Sequence, residues 1–310
     1  MKLENKVAIV TGGARGIGLA ISQAMAKEGA RVVVMDPGGT KDGRPGEATH
    51  AEEAAAQIRA AGGQAIGVAE SVADHAACKR AVDAAVAAFG TVDILVNNAG
   101  VLRPKMLWNM PEEDWDVVVG VHLKGQYNMI HHTSPILRAQ RSGRIINMGS
   151  EAWRGTVGQA NYGAAKGAVF SLTRAAAREL GRYGVTVNTM CPAAATRLTM
   201  DDSVKEGFRK RLAAGLITQA RYDQVVNMGG PEHVAPFAVY LASEAAANIN
   251  GQAFRVERGM IAIYNDPEFR ATLATGNESV LSVDDLTTLV PKTLLGGYTN
   301  PAPKQDDSAS

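Results

Sequence analysis

Tyr162 and Lys166 stand four positions apart in the run Tyr-Gly-Ala-Ala-Lys, and Ser150 precedes the tyrosine by twelve residues. If the run is helical, the phenol and the ammonium lie one turn apart on one face. A lysine charge beside a phenol lowers the cost of ionising it and makes an acid/base that works nearer neutral pH. With a hydroxyl brought to the same place, one carbonyl or alcohol oxygen meets all three groups, which is the equipment for hydride-transfer chemistry. A Tyr and a Lys at this spacing are, on their own, more often a solvated surface pair, so the reading depends on their company.

That company begins at the N-terminus. Val7–Val10 reads as a buried parallel strand and runs directly into Thr11-Gly-Gly-Ala-Arg-Gly-Ile-Gly18 and a helical pattern. Gly12, Gly16 and Gly18 leave out side chains where a backbone must turn tightly, approach a pyrophosphate and pack helix on strand. The helix that follows offers free N–H groups to phosphates. A second strand, Arg31–Met35, ends at Asp36, close to where an acid usually meets the adenosine ribose. A carboxylate there accepts hydrogen bonds from both ribose hydroxyls and repels a 2′-phosphate, so NAD is expected over NADP. Arg15, inside the glycine turn, is the counter-argument: a guanidinium there suits a 2′-phosphate, and equally the pyrophosphate charge.

The elements that must position these residues are legible as an alternation. Gln64–Ala69, Asp93–Val96, Arg144–Met148, Thr186–Cys191 and Gln252–Val256 read as further strands with helical stretches between them. The prediction is an α/β fold, a doubly wound parallel sheet of Rossmann type in three αβα layers. Residues 1–265 form that domain. Pro37–His50, rich in Gly, Pro and charge, is too long for an ordinary strand-to-helix loop and is placed beside the adenosine end of the site. Beyond about Asp266 the pattern stops: in the 266–310 extension Ser282-Val-Asp-Asp-Leu reads as a capped short helix, and Asn300–Ser310 as a disordered tail.

Composition narrows the class. In 310 residues, 46% apolar with a net charge of +1, there is material for a large core and no electrostatic footprint for nucleic acid or a membrane. Cys78 and Cys191 are too few for a disulfide framework and lack metal-ligand spacing, so both are expected as buried thiols and no metal is expected. No window approaches a transmembrane span and no address signal is legible, so a cytoplasmic enzyme is the expectation.

Together, Thr11–Gly18, Asn97-Asn-Ala-Gly100, Ser150, Tyr162-x-x-x-Lys166 and Cys191-Pro192 resemble the classical short-chain dehydrogenase/reductase family, over roughly residues 1 to 260. The resemblance implies Tyr162 as the acid/base, Ser150 holding the substrate oxygen, and Lys166 binding the nicotinamide ribose while lowering the phenol pKa. It further implies cofactor contacts from Gly12, Arg15, Gly16, Ile17, Gly18, Asp36, Glu70, Ser71, Asn98, Ala99, Gly100, Pro192 and Thr196. Three departures are visible. The family's usual catalytic asparagine falls at His122, Glu70 replaces an aspartate near the adenine, and Ala193 replaces a glycine after proline. His122 either holds a water in a proton relay or packs as a structural imidazole.

Asp36-Pro-Gly-Gly, Asn97–Arg103, Glu113-Asp-Trp-Asp116, Val121-His-Leu-Lys-Gly125 and Gly158-Gln-Ala-Asn-Tyr162 look like one branch of that family. It includes the (3R)-hydroxyacyl-CoA dehydrogenase part of the peroxisomal multifunctional enzyme, also called type 4 17β-hydroxysteroid dehydrogenase, and shares the histidine. The implied reaction is NAD-dependent interconversion of a secondary alcohol and a ketone, on a hydroxyacyl-CoA or hydroxysteroid-like substrate. A small cyclic alcohol or sugar is the alternative. From other classes, a non-catalytic NAD-binding sensor and an epimerase or lyase that retains its cofactor stay open. A substrate lid is expected between Thr196 and Met228, where Met200, Phe208, Leu212, Leu216, Ile217 and Tyr222 alternate with Lys205, Arg209, Lys210 and Arg211. Trp108 and Trp153 are candidates for the pocket wall. The helices around Asp116–Arg138 and Asn161–Gly181 are those that family members pair into homodimers and homotetramers.

Overall fold

A computed structural model describes residues 1–44, 46, 48–196, 202–215, 217–274 and 280–301. The chain divides into two units, Met1–Tyr264 and Asn265–Ser310. In the first, β1 (Val7–Thr11), α1 (Gly16–Lys27), β2 (Arg31–Met35), α2 (His50–Ala60), β3 (Gln64–Val68), α3 (His75–Phe89) and β4 (Ile94–Asn97) alternate. They are followed by α4 (Glu112–Val119), α5 (Gly125–Ala139), β5 (Gly143–Met148), α6 (Ala160–Leu180) and β6 (Val185–Ala193). Then come α7 (Asp202–Ala213), α8 (Gln219–Val226), α9 (Ala235–Ala242), β7 (Ala253–Glu257) and β8 (Met260–Ile263).

Among the described residues the strands make one eight-stranded sheet in the order β3-β2-β1-β4-β5-β6-β7-β8. β1 to β7 pair in parallel, and only β8 runs antiparallel, against β7. Each predicted strand is present to within two residues at either end. β8 was not foreseen. All four of its residues are exposed, so no buried face imposes an apolar pattern on that stretch of sequence.

The sheet is buried on both faces. Ala8, Val10, Val32, Val34, Ile94 and Val96 pack with Ile21 and Met25 of α1, Ala54 and Ile58 of α2, and Leu241 of α9. Ile9, Val33, Leu95, Ile145 and Val187 point to the other side, against Cys78 and Val82 of α3, Met129 and Leu137 of α5, and Leu180 of α6. This is why β1 and β2 read as continuous apolar runs rather than alternating ones. Both cysteines are buried thiols, pushed up to about 12 by burial. A polar seam crosses this interior, in which Asn97 donates to Asn147 (2.9 Å), Asn147 to Thr173 (2.9 Å), and Thr189 to Thr173 (2.8 Å).

The second unit holds α10 (Val283–Thr293), whose N-cap Ser282 and Asp285 form a reciprocal capping box, as the sequence pattern predicts. The tail expected at Asn300–Ser310 lies outside the described residues from position 302 on.

Candidate active site

The sheet order reverses between β1 and β4, and ligands in such folds bind outside the carboxyl ends of the strands at that point. There the structure opens a cleft of about 570 Å³, within the ordinary size of a ligand site. Its lining includes every residue singled out above for chemistry or cofactor contact, from Gly12 and Asp36 at one end to Ser150, Tyr162 and Lys166 at the other.

The glycine turn is glycine for three different reasons. Gly12 has φ +60°, and a β-carbon there would lie 2.8 Å from the Ala99 Cα. A β-carbon on Gly18 would lie 2.1 Å from the Gly12 carbonyl oxygen. At Gly16 space is ample, the nearest atom being a Thr196 methyl at 3.6 Å, and the requirement is instead its φ of +54°. Thr11 locks this turn to the end of β4: its Oγ1 accepts from the backbone N–H of Asn98 (3.0 Å) and Ala99 (3.1 Å). The Asn98 amide returns the tie by donating to the carbonyls of Thr11 and Gly12. These packed, side-chain-free walls and the adjoining N-terminus of α1 fit a dinucleotide's phosphates.

At the adenosine end, Asp36 is almost buried at the tip of β2 and accepts from the Gly38 N–H at 2.8 Å. The Arg15 guanidinium donates to the Gly39 carbonyl at 2.6 Å and stands 3.8 Å from the Asp36 carboxylate. Arg15 is therefore occupied with the acid and with the loop that follows it. Glu70 lines the same end while held bidentately by Arg80. The predicted long loop reaches the site, and Gly39, Thr40, Gly43, Arg44 and Gly46 all line it.

At the opposite end, β5 delivers Ser150 and the first turn of α6 delivers Tyr162. Tyr162 is half-buried, with its hydroxyl end enclosed and hydrogen-bonded to Ser150. Lys166, 2% exposed, donates to the Met148 carbonyl and sits 5.6 Å from the centre of the Tyr162 ring. Here the expected electrostatics must be corrected. Burial, opposed by the Ser150 hydrogen bond, raises the Tyr162 pKa above its ordinary value, and burial lowers Lys166 to about 8. An ammonium that is itself short of solvation, and spent on a carbonyl, does not offset the desolvation of the phenol.

His122 lies in a π-helical stretch, Gly120–Lys124, that joins α4 to α5. Such one-turn bulges re-aim a side chain inward. The ring is buried, edge-on to Tyr162 with centroids 4.9 Å apart, and its Nε2 faces both the Val101 carbonyl (2.7 Å) and the Val101 N–H (3.0 Å). Burial and the Lys166 charge hold its pKa well below the usual imidazole range, so it is neutral. Gly100 makes room for it: a β-carbon there would stand 2.6 Å from His122 Cε1.

Some functional neighbours were not singled out by sequence. Asn161, fully buried, accepts the Tyr162 N–H at 2.8 Å and donates to the carbonyls of Arg103 (3.2 Å) and Asp114 (3.0 Å). Arg103 in turn bonds the Asp42 carbonyl (2.7 Å), Glu113 (2.8 Å) and Asp114 (3.1 Å). The start of α6 is thus tied to the long loop at the far end of the cleft. The only signal was that these residues fall inside the quoted motifs. Neither Trp108 nor Trp153 lines the cleft. Trp108 is 76% exposed, and Trp153 packs tilted against Phe170 (centroids 5.1 Å apart) and edge-on to Tyr264 (6.0 Å). Of the expected lid, Met200 and Leu216 lie outside the described residues. Arg209 pairs with Glu206 at 2.8 Å, and Lys205, Lys210 and Arg211 are likewise exposed, as on a solvated helix face.

A sheet reversed at β1/β4, a glycine turn under one end of the cleft and a Ser-Tyr-Lys set at the other define a nucleotide-dependent oxidoreductase. The family model described as short chain dehydrogenase matches residues 6–207. The chain is 37% identical over 286 residues to hydroxyacyl-CoA dehydrogenase ChsB1 of Mycobacterium tuberculosis, covering 89% of this chain and 85% of that one. It is 37% identical over 256 residues to the 3-oxoacyl-[acyl-carrier-protein] reductase FabG of Staphylococcus aureus, covering 82% and 98%. A crystal structure of a short chain dehydrogenase from Mycobacterium avium superposes with a TM-score of 0.80 at 35% identity, over 98% of this chain and 99% of that one. The chain belongs to the short-chain dehydrogenase/reductase family, whose members use NAD or NADP to interconvert CH–OH and keto groups. Among the described residues no helix is long and apolar enough to cross a membrane.

Proposed function

We propose that the protein is an NAD-dependent oxidoreductase acting on a 3-hydroxyacyl or 3-oxoacyl thioester, with CoA as the carrier. The observation that carries this reading is the joining, in one cleft, of Ser150, Tyr162 and Lys166 at one end with a nearly buried Asp36 at the other. Asp36 favours a free ribose diol and disfavours a 2′-phosphate, while Arg15 is already engaged with Asp36 and Gly39. The acyl part of the proposal rests on the names of the two curated relatives, both of which act on acyl thioesters.

Gly12, Gly16, Gly18 and the start of α1 would hold the pyrophosphate, Asp36 the adenosine ribose, and Lys166 the nicotinamide ribose. Bound nicotinamide supplies or accepts the hydride. The Tyr162 phenol donates its proton to the carbonyl oxygen in reduction and takes it back in oxidation, and the Ser150 hydroxyl donates a second hydrogen bond to that oxygen. With its raised pKa Tyr162 stands protonated at neutral pH, ready for reduction. Asn161 positions it through its backbone N–H. Neutral His122, bonded to Val101 and edge-on to the tyrosine, fixes the ring's place rather than carrying charge.

The test is NADH formation and its reverse, run with NAD and NADP in parallel, on 3-hydroxyacyl-CoA esters, hydroxysteroids, cyclic alcohols and sugars. Turnover with NAD on the acyl-CoA class is the expected result, and turnover confined to another class overturns the substrate assignment. Tyr162→Phe is expected to lower kcat by about 10²–10⁴-fold while NAD binding persists. We also infer a homodimer or homotetramer, from the family's habit of pairing the helices that here are α4 to α6. Light scattering at micromolar concentration checks it, and a monomer overturns it.

A further inference from the structure

Three of the chain's six histidines gather on a surface outside the cleft. His75 is the first residue of α3, and His131 and His132 lie midway along α5, which packs on α3. The position of His75 is fixed by its helix cap, since Asp74 accepts from the N–H groups of Ala76 (2.8 Å) and Ala77 (3.2 Å). Adjacent residues on a helix diverge by about 100°. His131 and His132 nevertheless converge because His75 comes up from the neighbouring helix, with ring centroids 5.2 Å from one and 4.2 Å from the other.

The spacing is that of a ligand set. One nitrogen from each ring lies within 4.8 Å of the other two, and His132 Nε2 stands 3.3 Å from His75 Nδ1. Two nitrogens bound to zinc at the usual length and a tetrahedral angle are about 3.4 Å apart. That pair stands at ligand spacing, the His132 Nε2 also facing the His75 carbonyl at 3.0 Å, a contact that a metal would replace. The exposed His131 brings its nitrogen within 4.8 Å of both. The nearby cation, Lys79, is bound bidentately by Asp83 at 2.6 and 2.7 Å, which neutralises a charge that would repel a metal. Three imidazoles without carboxylate or thiolate select a borderline ion such as zinc over magnesium or calcium.

We propose that His75, His131 and His132 form a three-imidazole zinc site that clips the first turn of α3 to the middle of α5. An ion that recognises only the folded spacing stabilises the fold by mass action.

The experiment titrates zinc chloride into untagged, metal-stripped, full-length protein by calorimetry and follows Tm over the same range. One zinc per chain and a saturable rise in Tm are expected. Cobalt(II) in place of zinc should give the visible absorption of a tetrahedral site. Loss of a mere outer partner costs about 10–100-fold in metal affinity, so His75→Gln and His132→Gln, each losing a ligand, should weaken binding at least that much. Both should leave zinc-free turnover unchanged. His50→Gln and His233→Gln should leave zinc binding unchanged as well. The proposal is overturned if zinc fails to bind saturably, or if His75→Gln and His132→Gln, folded by circular dichroism, bind as the parent does.

Discussion

Tyr162 and Lys166 carry opposite consequences of the same burial, which makes the phenol a weaker acid and the ammonium a stronger one. Reduction needs the phenol protonated and the lysine charged. We therefore expect kcat/KM for reduction to be level near neutrality and to fall as pH rises through about 8, where Lys166 loses its proton. A profile flat to pH 10 would refute this role for Lys166. The same burial costs stability. The folded pKa, about 8, lies below the unfolded value of 10.5, so between these the unfolded chain binds more protons and stability rises with pH. Below about 8 the cost is fully present, and above 10.5 it is gone. Urea unfolding of the parent and of Lys166→Met should diverge across that window by on the order of 3 kcal/mol, the parent gaining. At the other end of the cleft, Asp36→Ala should shift the ratio of kcat/KM from NAD toward NADP by more than about tenfold, because like charges held together cost several kcal/mol. An unchanged ratio would mean that Arg15 or the loop, rather than Asp36, sets the preference.

At the scale of elements, what could be read from sequence was what burial imposes on it. β1 and β2 announced themselves because both faces of a central strand demand apolar, β-branched residues. The glycine turn was legible because its conformations and close approaches admit little else. β8 was hidden because an exposed edge strand is under no such demand. The π-helical stretch was hidden for another reason: a bulge adds a residue to a helix without needing a special residue type, so only the arrival of His122 against Tyr162 betrays it. The tie from Asn161 through Arg103 to the long loop is a tertiary contact between segments far apart in sequence, which local patterns cannot carry. The fit of the bulge to β4 is open to test. Gly100→Ala puts a methyl 2.6 Å from His122 Cε1 and should cost about 1–3 kcal/mol in unfolding by urea. Adding His122→Ala should recover much of that cost, and strictly additive effects would show that the two residues do not press on each other.

At the scale of the whole molecule, the described residues that line the cleft all belong to Met1–Tyr264. Both faces of the sheet are covered within that unit, by α1, α2 and α9 on one side and α3, α5 and α6 on the other. Among the described residues of the Asn265–Ser310 unit, Val280, Val283 and Phe269 are exposed to 94%, 78% and 94%, while Leu273, Leu281, Leu289, Val290 and Leu294 are half-buried. Hydrophobic stabilisation follows apolar area removed from water, and a segment in which no described apolar side chain is fully buried adds little of it. A protein ending at Tyr264 should accordingly fold, bind NAD and keep kcat/KM within about twofold of the full chain, with a change in unfolding free energy within about 0.5 kcal/mol, as for surface changes. Circular dichroism, urea unfolding and the NADH assay measure all three. If the shortened protein folds and binds NAD but its KM for the acyl substrate rises by more than about tenfold, the extension is part of substrate recognition, and the residues that choose the acyl chain must be sought beyond Tyr264.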